Sequence, residues 1–413
     1  MPRSDGTFLF QLITKTLNNI NTHTDFYLIG IGNHPTPLLT EEVRTLIKKT
    51  STFSGGKRHY ELVKTHLPQN HSWIEISGKM DVVIEAYKKS NEPVMIFTSG
   101  DPFFYGFGNT LQRYLPEAAV QSFPYFNSIQ RLCQKTQTNY NDLQSVSVHG
   151  RDWSALDTAL ISDLSLIGVL TDGKKTPTEI SKRLLQYGFD NYQITVGEEL
   201  DGDKEIIESH QLEACTQLDY APLNCILLKK THSKETPFGI PDDQFIPLDN
   251  RPNMITKMPI RLTTLQALQL NNASTFWDIG SCTGSVAIEA KRHFPHLKVL
   301  AFEKREVCKS IIQKNTEQLS SPGIEIIIDD FFNLDLSQYS CPDVIFIGGH
   351  GNRLKEMIHK IHALNPSVRM VTNAVQESSS QTFIEELGQL NYSIDTTTLQ
   401  VDQHNKISIH ATK

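Results

Sequence analysis

Phe276-Trp277-Asp278-Ile279-Gly280-Ser281-Cys282-Thr283-Gly284 is the stretch on which the fold turns. A short apolar run interrupted by one acid leads into a loop with a glycine at each end, and Val286 to Arg292 then follow with helical spacing. Strand, glycine loop and helix in that order open an α/β sheet. The glycines permit a tight turn and let the backbone come close to a ligand, while the helix amino terminus offers free N–H groups to an anionic one.

The residues downstream extend the pattern. Apolar runs at Lys298 to Phe302, Glu325 to Ile328, Asp343 to Ile347 and Val368 to Thr372 read as further strands, and Ile394 to Leu399 with Lys406 to Ala411 as two more joined by a turn. The second strand ends at Glu303, where an acid can accept hydrogen bonds from both hydroxyls of a ribose, and the third at Asp329-Asp330, beside the place for a base. The fourth ends at Gly348-Gly349-His350. The loop lacks the GxGxxG spacing of a dinucleotide site, and a bare strand–helix turn would not require acids at the next two strand ends.

Upstream, Lys229 to Pro259 is rich in Pro, Lys, Asp and Thr and has little periodicity, as a linker with a lead-in to a second domain would. Before it, Phe26-Tyr-Leu-Ile-Gly30-Ile-Gly32, Val94 to Phe97 and Leu164 to Leu170 read as strands, Thr40 to Lys49 and Pro177 to Tyr187 as helices, and Cys225 to Leu228 as the last strand of that half. Its loops, Ser99-Gly100-Asp101-Pro102, Asn127-Ser128, Thr171-Asp172-Gly173 and Pro222-Leu223-Asn224, are polar or glycine-rich, and each taken alone is a strand-terminating turn. Residues 1–25 read as a pendant extension.

Composition sets outer limits. The chain has 413 residues, which is long for one core, and 38% hydrophobic against 21% charged residues, which is ordinary for a globular protein. The net charge of −7 argues against a broad nucleic-acid footprint. No apolar run is long enough to span a membrane and no secretory signal is evident, so a cytoplasmic protein is expected. The six cysteines, Cys133, Cys215, Cys225, Cys282, Cys308 and Cys341, form no CxxC pair and no metal-like spacing, and buried or half-buried reduced thiols are expected. The pairs Lys48-Lys49, Lys88-Lys89, Lys174-Lys175 and Lys229-Lys230 are expected to face solvent, with Lys57, Arg58, His59 and Arg151 available to an acidic substrate.

The first half resembles the tetrapyrrole methylase family in the order of its loops, and Ser99-Gly-Asp-Pro-Phe-Phe-Tyr-Gly106 with Val148-His-Gly-Arg151 resembles the branch of that family found in cobalamin synthesis. The second half resembles the decarboxylating methyltransferase domain of the same pathway, from Pro241-Asp-Asp-Gln-Phe245 through Ile255-Thr256-Lys257 to Phe346-Ile-Gly-Gly349. The likeness covers roughly residues 26 to 413.

It implies a two-lobed tetrapyrrole methylase fold over 26–230, a linker over 231–252 and a Rossmann-like class I methyltransferase fold over 253–413. It implies S-adenosylmethionine as cofactor, with two sites per chain. The first would use Gly32, Gly100, Asp101, Ser128, Thr171 and Leu223. The second would use Thr256, Gly280, Ser281, Cys282, Thr283, Gly284, Glu303, Asp330 and Phe331. The implied substrate is a corrin-precursor tetrapyrrole, methylated at C5 and C15 and decarboxylated at the C12 acetate, by a chain that associates with its own copies. Asp101 is the one catalytic candidate, as an orienting group; no metal and no nucleophilic triad is expected. The chain departs from the pattern at Cys282, where a glycine is usual and where a negative φ is expected, at Asn33-His34-Pro35, and in a short final hairpin, Val401 to Lys406.

Overall fold

The computed structural model describes residues 25–234, 237–249, 251, 254–400 and 406–412; residues 1–24 of the extension and most of the final hairpin lie outside the described residues. The described chain forms two compact units. One holds the residues up to Tyr140 with Val196–Glu208 and Ala221–Ile226; the other holds Asn141–Thr195, Ser209–Tyr220 and the residues from Leu227 on.

In the first unit, strands β1 (Phe26–Ile31), β2 (Thr52–Gly55), β3 (Ser72–Glu75), β4 (Val94–Ser99) and β5 (Val120–Phe123) form a sheet in the order β3-β2-β4-β1-β5. All its pairings are parallel. Side chains alternate between two cores, as the period of a strand requires. Leu28 and Ile96 join Val83, Ile84 and Tyr87 of helix Met80–Lys88 on one face. Ile29, Met95 and Phe97 join Val43 and Ile47 of helix Glu41–Lys49 on the other. That helix begins where Thr40 Oγ1 accepts from Val43 N.

The next five strands are β6 (Gln144–Ser147), β7 (Leu166–Leu170), β8 (Tyr192–Glu198), β9 (Ile206–Gln211) and β10 (Asn224–Lys230). They are bonded in the order β6-β7-β10-β8-β9, so the strand expected to be last lies mid-sheet.

The second unit contains the sheet predicted from Phe276 onward: β11 (Thr275–Ile279), β12 (Lys298–Glu303), β13 (Ile324–Ile328), β14 (Val344–Ile347), β15 (Arg369–Ala374), β16 (Ile394–Gln400) and β17 (Lys406–Thr412). The order is β13-β12-β11-β14-β15-β17-β16. The first five strands are parallel, and β17 runs antiparallel between β15 and β16. Chain direction across the sheet reverses between β11 and β14, the switch point at which open α/β sheets bind ligands. Phe276 and Phe346 pack on one face, Trp277, Phe302 and Ile345 on the other. Burial of each such side chain contributes roughly 1.5–3 kcal/mol.

The proline-rich lead-in packs onto this domain. Ile240 and Phe245 bury against Ile288 and Leu319. Arg261, fully buried, binds Glu289 Oε2 at 2.8 Å, Asp242 Oδ1 at 3.2 Å and the Thr256 carbonyl at 2.6 Å, and also the Ile240 carbonyl. A guanidinium with this many acceptors repays part of its desolvation.

Two expectations need correction. Cys341 is exposed, whereas the other five cysteines are buried; all six thiols are free. Lys230 does not face solvent: its Nζ binds Asp163 Oδ2 at 2.8 Å with the side chain 14% exposed, because β10 is interior to its sheet. No helix among the described residues is long and apolar enough to cross a membrane.

Candidate functional site

A cavity of about 1200 Å³ opens over the carboxyl ends of β11, β12 and β14. Thr256, Gly280, Ser281, Cys282, Thr283, Glu303, Asp330 and Phe331 line it. Gly284 lies just outside, where its φ of +77° starts helix Ser285–His293.

Two backbone conformations shape the loop. Gly280 has φ +78°, and a β-carbon there would stand 2.6 Å from Gly349 N, so the β11 and β14 ends approach as closely as they do only with glycine. Cys282 has φ +52°, in the left-handed region, which overturns the expected negative φ. The turn aims the Cys282 N–H at Glu303 Oε2, 2.9 Å away, and seats the thiol against the Met254 carbonyl at 3.2 Å, among Leu248, Cys308 and Ile312. These contacts offset the roughly 1–2 kcal/mol that a side chain costs in this conformation.

Glu303 is buried at the end of β12 with both oxygens engaged. Oε1 accepts from Lys304 N and Arg305 N, and Arg305 adds a two-pronged contact from its guanidinium. Burial pushes the carboxyl up, but the Arg305 and backbone hydrogen bonds outweigh it and hold the group below its ordinary value.

Asp278 forms the floor. Its Oδ2 accepts from Ser281 Oγ at 3.0 Å and Ala287 N at 3.1 Å, while Oδ1 has no partner among the described residues. Burial pushes this carboxyl up to about 7 against the opposing hydrogen bonds. The buried Thr283 Oγ1 also has no partner among the described residues. Orphaned polar atoms beside a glycine-lined cavity fit a ligand that carries both donors and acceptors. Loop, acid and strand-end turn together suit a nucleoside joined to an amino acid.

Sequence reasoning passed over several groups. Arg305 is one. Lys360 is another: its Nζ reaches the carbonyls of Phe331, Phe332 and Leu334 at 3.0, 2.9 and 2.9 Å and fixes the turn after β13. His350 lines the cavity with a buried Nδ1 that has no partner among the described residues; its place after a glycine pair at a strand end was the signal available for it. His359 and His362 bind different partners, Glu386 and Tyr392.

In the first unit the ends of β1, β4 and β5 converge. Gly100, at φ +62°, donates its N–H to the Ile31 carbonyl at 2.9 Å, and a β-carbon on it would meet Asn127 Cα at 2.9 Å. Gly32 packs against the Tyr125 ring. Asp101 Oδ1 accepts from Phe103 N at 2.8 Å, which turns the chain toward helix Phe107–Tyr114. Ser128 opens a helix capped by Asn127, and its hydroxyl bonds the buried thiol of Cys225. The Leu223 carbonyl accepts from Glu199 N at 2.9 Å. Thus Gly32, Gly100, Asp101, Ser128 and Leu223 belong to one unit. Thr171 belongs to the other, following β7, where its carbonyl accepts from His149 Nδ1 at 2.8 Å.

Comparison with known proteins bears on both halves. The tetrapyrrole (corrin/porphyrin) methylase family matches residues 25–214, and the precorrin methyltransferase domain family matches residues 250–409. A precorrin-6Y C(5,15)-methyltransferase (decarboxylating) of Sinorhizobium sp. is 29% identical over 374 residues, which is 89% of this chain and 88% of that enzyme. A cobalt-precorrin-7 C(5)-methyltransferase of Salmonella typhimurium is 25% identical and covers 44% of this chain and 87% of its own length. A probable cobalt-precorrin-6B C(15)-methyltransferase (decarboxylating) of Thermoplasma volcanium is 32% identical and covers 37% of this chain and 75% of its own length. With the glycine loop, Glu303 and the switch-point cavity in place behind a tetrapyrrole methylase half, the chain belongs to the decarboxylating precorrin methyltransferases, a family of S-adenosylmethionine-dependent enzymes.

Proposed function

We propose that the chain carries out two methyl transfers on one corrin-precursor tetrapyrrole. Residues 26–230 act at C5, with Asp101 orienting cofactor or substrate; residues 253–413 act at C15 and release the carboxyl carbon of the C12 acetate as carbon dioxide. Residues 231–252 join the two domains. The observation that carries the reading is the cavity at the β11–β14 switch point, with Glu303 on its wall and, in its floor, Asp278 Oδ1 without a partner among the described residues.

S-adenosylmethionine, when bound, supplies a methyl group already activated by its sulfonium. The chain therefore needs no nucleophile of its own. The loop Gly280–Gly284 receives the amino-acid end, Glu303 the ribose and the Asp330–Phe331 turn the base. Loss of the carboxylate leaves an electron pair that the conjugated substrate accepts itself, so the protein's part is alignment and exclusion of water.

The test is calorimetric titration of the whole chain with S-adenosylhomocysteine. Two sites per chain are expected, one removed by Glu303→Ala and the other by Asp101→Ala. The Arg305–Glu303 contact favours a second reading, in which the C-terminal domain no longer takes cofactor; a single site, untouched by Glu303→Ala, would establish it. Light scattering reads the expected self-association.

A further inference from the structure

Arg58 is a half-buried cation whose fixed partners are neutral. Its Nη1 donates to Asn33 Oδ1 at 2.8 Å and its Nη2 to Ser99 Oγ at 2.6 Å. Glu199 acts on it only across Asn33, whose Nδ2 donates to Glu199 Oε2 at 3.0 Å. Burial lowers the guanidinium pKa from its ordinary value, and Glu199 only partly restores it. A guanidinium has five N–H donors, so several remain for a ligand. A charge held out of water without a directly bonded counter-ion is costly, and an arriving anion relieves that cost.

The neighbouring histidine settles where the Ser99 proton points. His59 Nδ1 accepts from Gly56 N at 3.2 Å, so in the neutral ring the proton sits on Nε2, which stands 3.0 Å from Ser99 Oγ and donates to it, while Arg58 Nη2, 3.4 Å from the same nitrogen, donates to Ser99 at the shorter distance. Burial first, and then the Arg58 charge, lower His59 to about 4, so the ring is neutral across the physiological range. Ser99 Oγ therefore receives two donors, from Arg58 and from His59. Both its lone pairs are taken, and its own O–H is left to donate away from the cluster. Ser99 is exposed. The cluster sits at the carboxyl ends of β1, β2 and β4, and its members adjoin Gly32 and Gly100 in sequence.

We propose that Arg58 and Ser99 form a carboxylate clamp for an acidic side chain of the tetrapyrrole, with His59 as the positioning residue that turns the serine hydroxyl outward. The clamp rests on the reading of residues 26–230 as the C5 methyltransferase. It sets the orientation of the macrocycle and leaves the methyl transfer itself to the cofactor.

The experiment follows C5 methylation by the full chain, with products assigned by NMR and S-adenosylhomocysteine affinity measured in parallel. Arg58→Met is expected to raise KM for the tetrapyrrole by about tenfold or more and to leave kcat within about twofold, since a charge-assisted fork is lost from binding. Arg58→Lys recovers part of that loss, and Ser99→Ala raises KM by about threefold. Unchanged KM in Arg58→Met and Ser99→Ala overturns the clamp while the C5 activity stands. Equal loss of stability, cofactor affinity and kcat makes Arg58 structural and also overturns it. A wild-type chain that does not methylate C5 sinks the functional reading instead. The clamp is then judged by fluorescence titration with uroporphyrin, an octacarboxylate, which wild type must bind more tightly than Arg58→Met.

Discussion

Arg305 lies across both oxygens of Glu303, with Nε 2.9 Å from Oε1 and Nη2 2.8 Å from Oε2. On the proposed reading, ribose hydroxyls arriving at this carboxylate would meet a charge-assisted fork already in place. Arg305→Met is therefore expected to tighten S-adenosylhomocysteine binding at the proposed C-terminal site by about threefold, a change of under about 1 kcal/mol. Weaker binding in the variant would make Arg305 part of the ligand's own contact set.

Asp278 gives a pH dependence with a defined sign. Its pKa is raised by burial to about 7, so the folded chain binds this proton more tightly than the unfolded one. The associated stability is fully present below the unfolded carboxylate pKa and is lost as pH rises toward 7. Asp278→Asn removes that loss. The melting temperature of the variant relative to wild type is expected to rise from pH 5 to about pH 7 and then level off, and two parallel curves over that range would contradict the assignment.

The loop conformations predict opposite responses to small changes. Gly280→Ala places a β-carbon against Gly349 N at a positive φ and is expected to lower stability by about 3 kcal/mol or more, read by urea denaturation. Cys282→Gly relieves the left-handed strain and forfeits thiol packing, for a net change within about 1 kcal/mol. Cys282→Val, branched at a φ of +52°, is expected to abolish the C-terminal site.

Lys360 supports the turn after β13, the proposed base position, through three carbonyls. Lys360→Met is expected to cost about 2 kcal/mol of stability and to weaken cofactor binding at the C-terminal site alone. Equal weakening at both sites would point to a global effect.

What could be read from the sequence divides along physical lines. The strands from Phe276 to Thr372 were legible because both faces of a parallel sheet are covered, which makes each strand a nearly unbroken apolar run. The ends of the first four were legible because a glycine or an acid stands at each one. In the first half, β3, β5 and β6 are four residues long and half-exposed, and β9 is exposed along most of its length, so none stands out from a loop. The residues that line the C-terminal cavity were legible as a set of strand ends. The Arg305 contact was not, because it depends on how the chain turns two residues beyond Glu303. The φ of Cys282 was misjudged for a similar reason: the hydrogen bond that demands it comes from another strand. Ser99 and Arg58 lie 41 residues apart and meet only once β2 and β4 pair.

The position of β17 has a consequence for synthesis. Residues 406–412 lie between β15 and β16, bonded to both, although they are made after both. As the chain emerges from the ribosome, β16 has no edge to join, and its partner face on β15 stays open until the following strand arrives. The parallel core from β11 to β15 can assemble vectorially, but the antiparallel edge closes only in a late step, when β17 pairs with β16 and docks on β15.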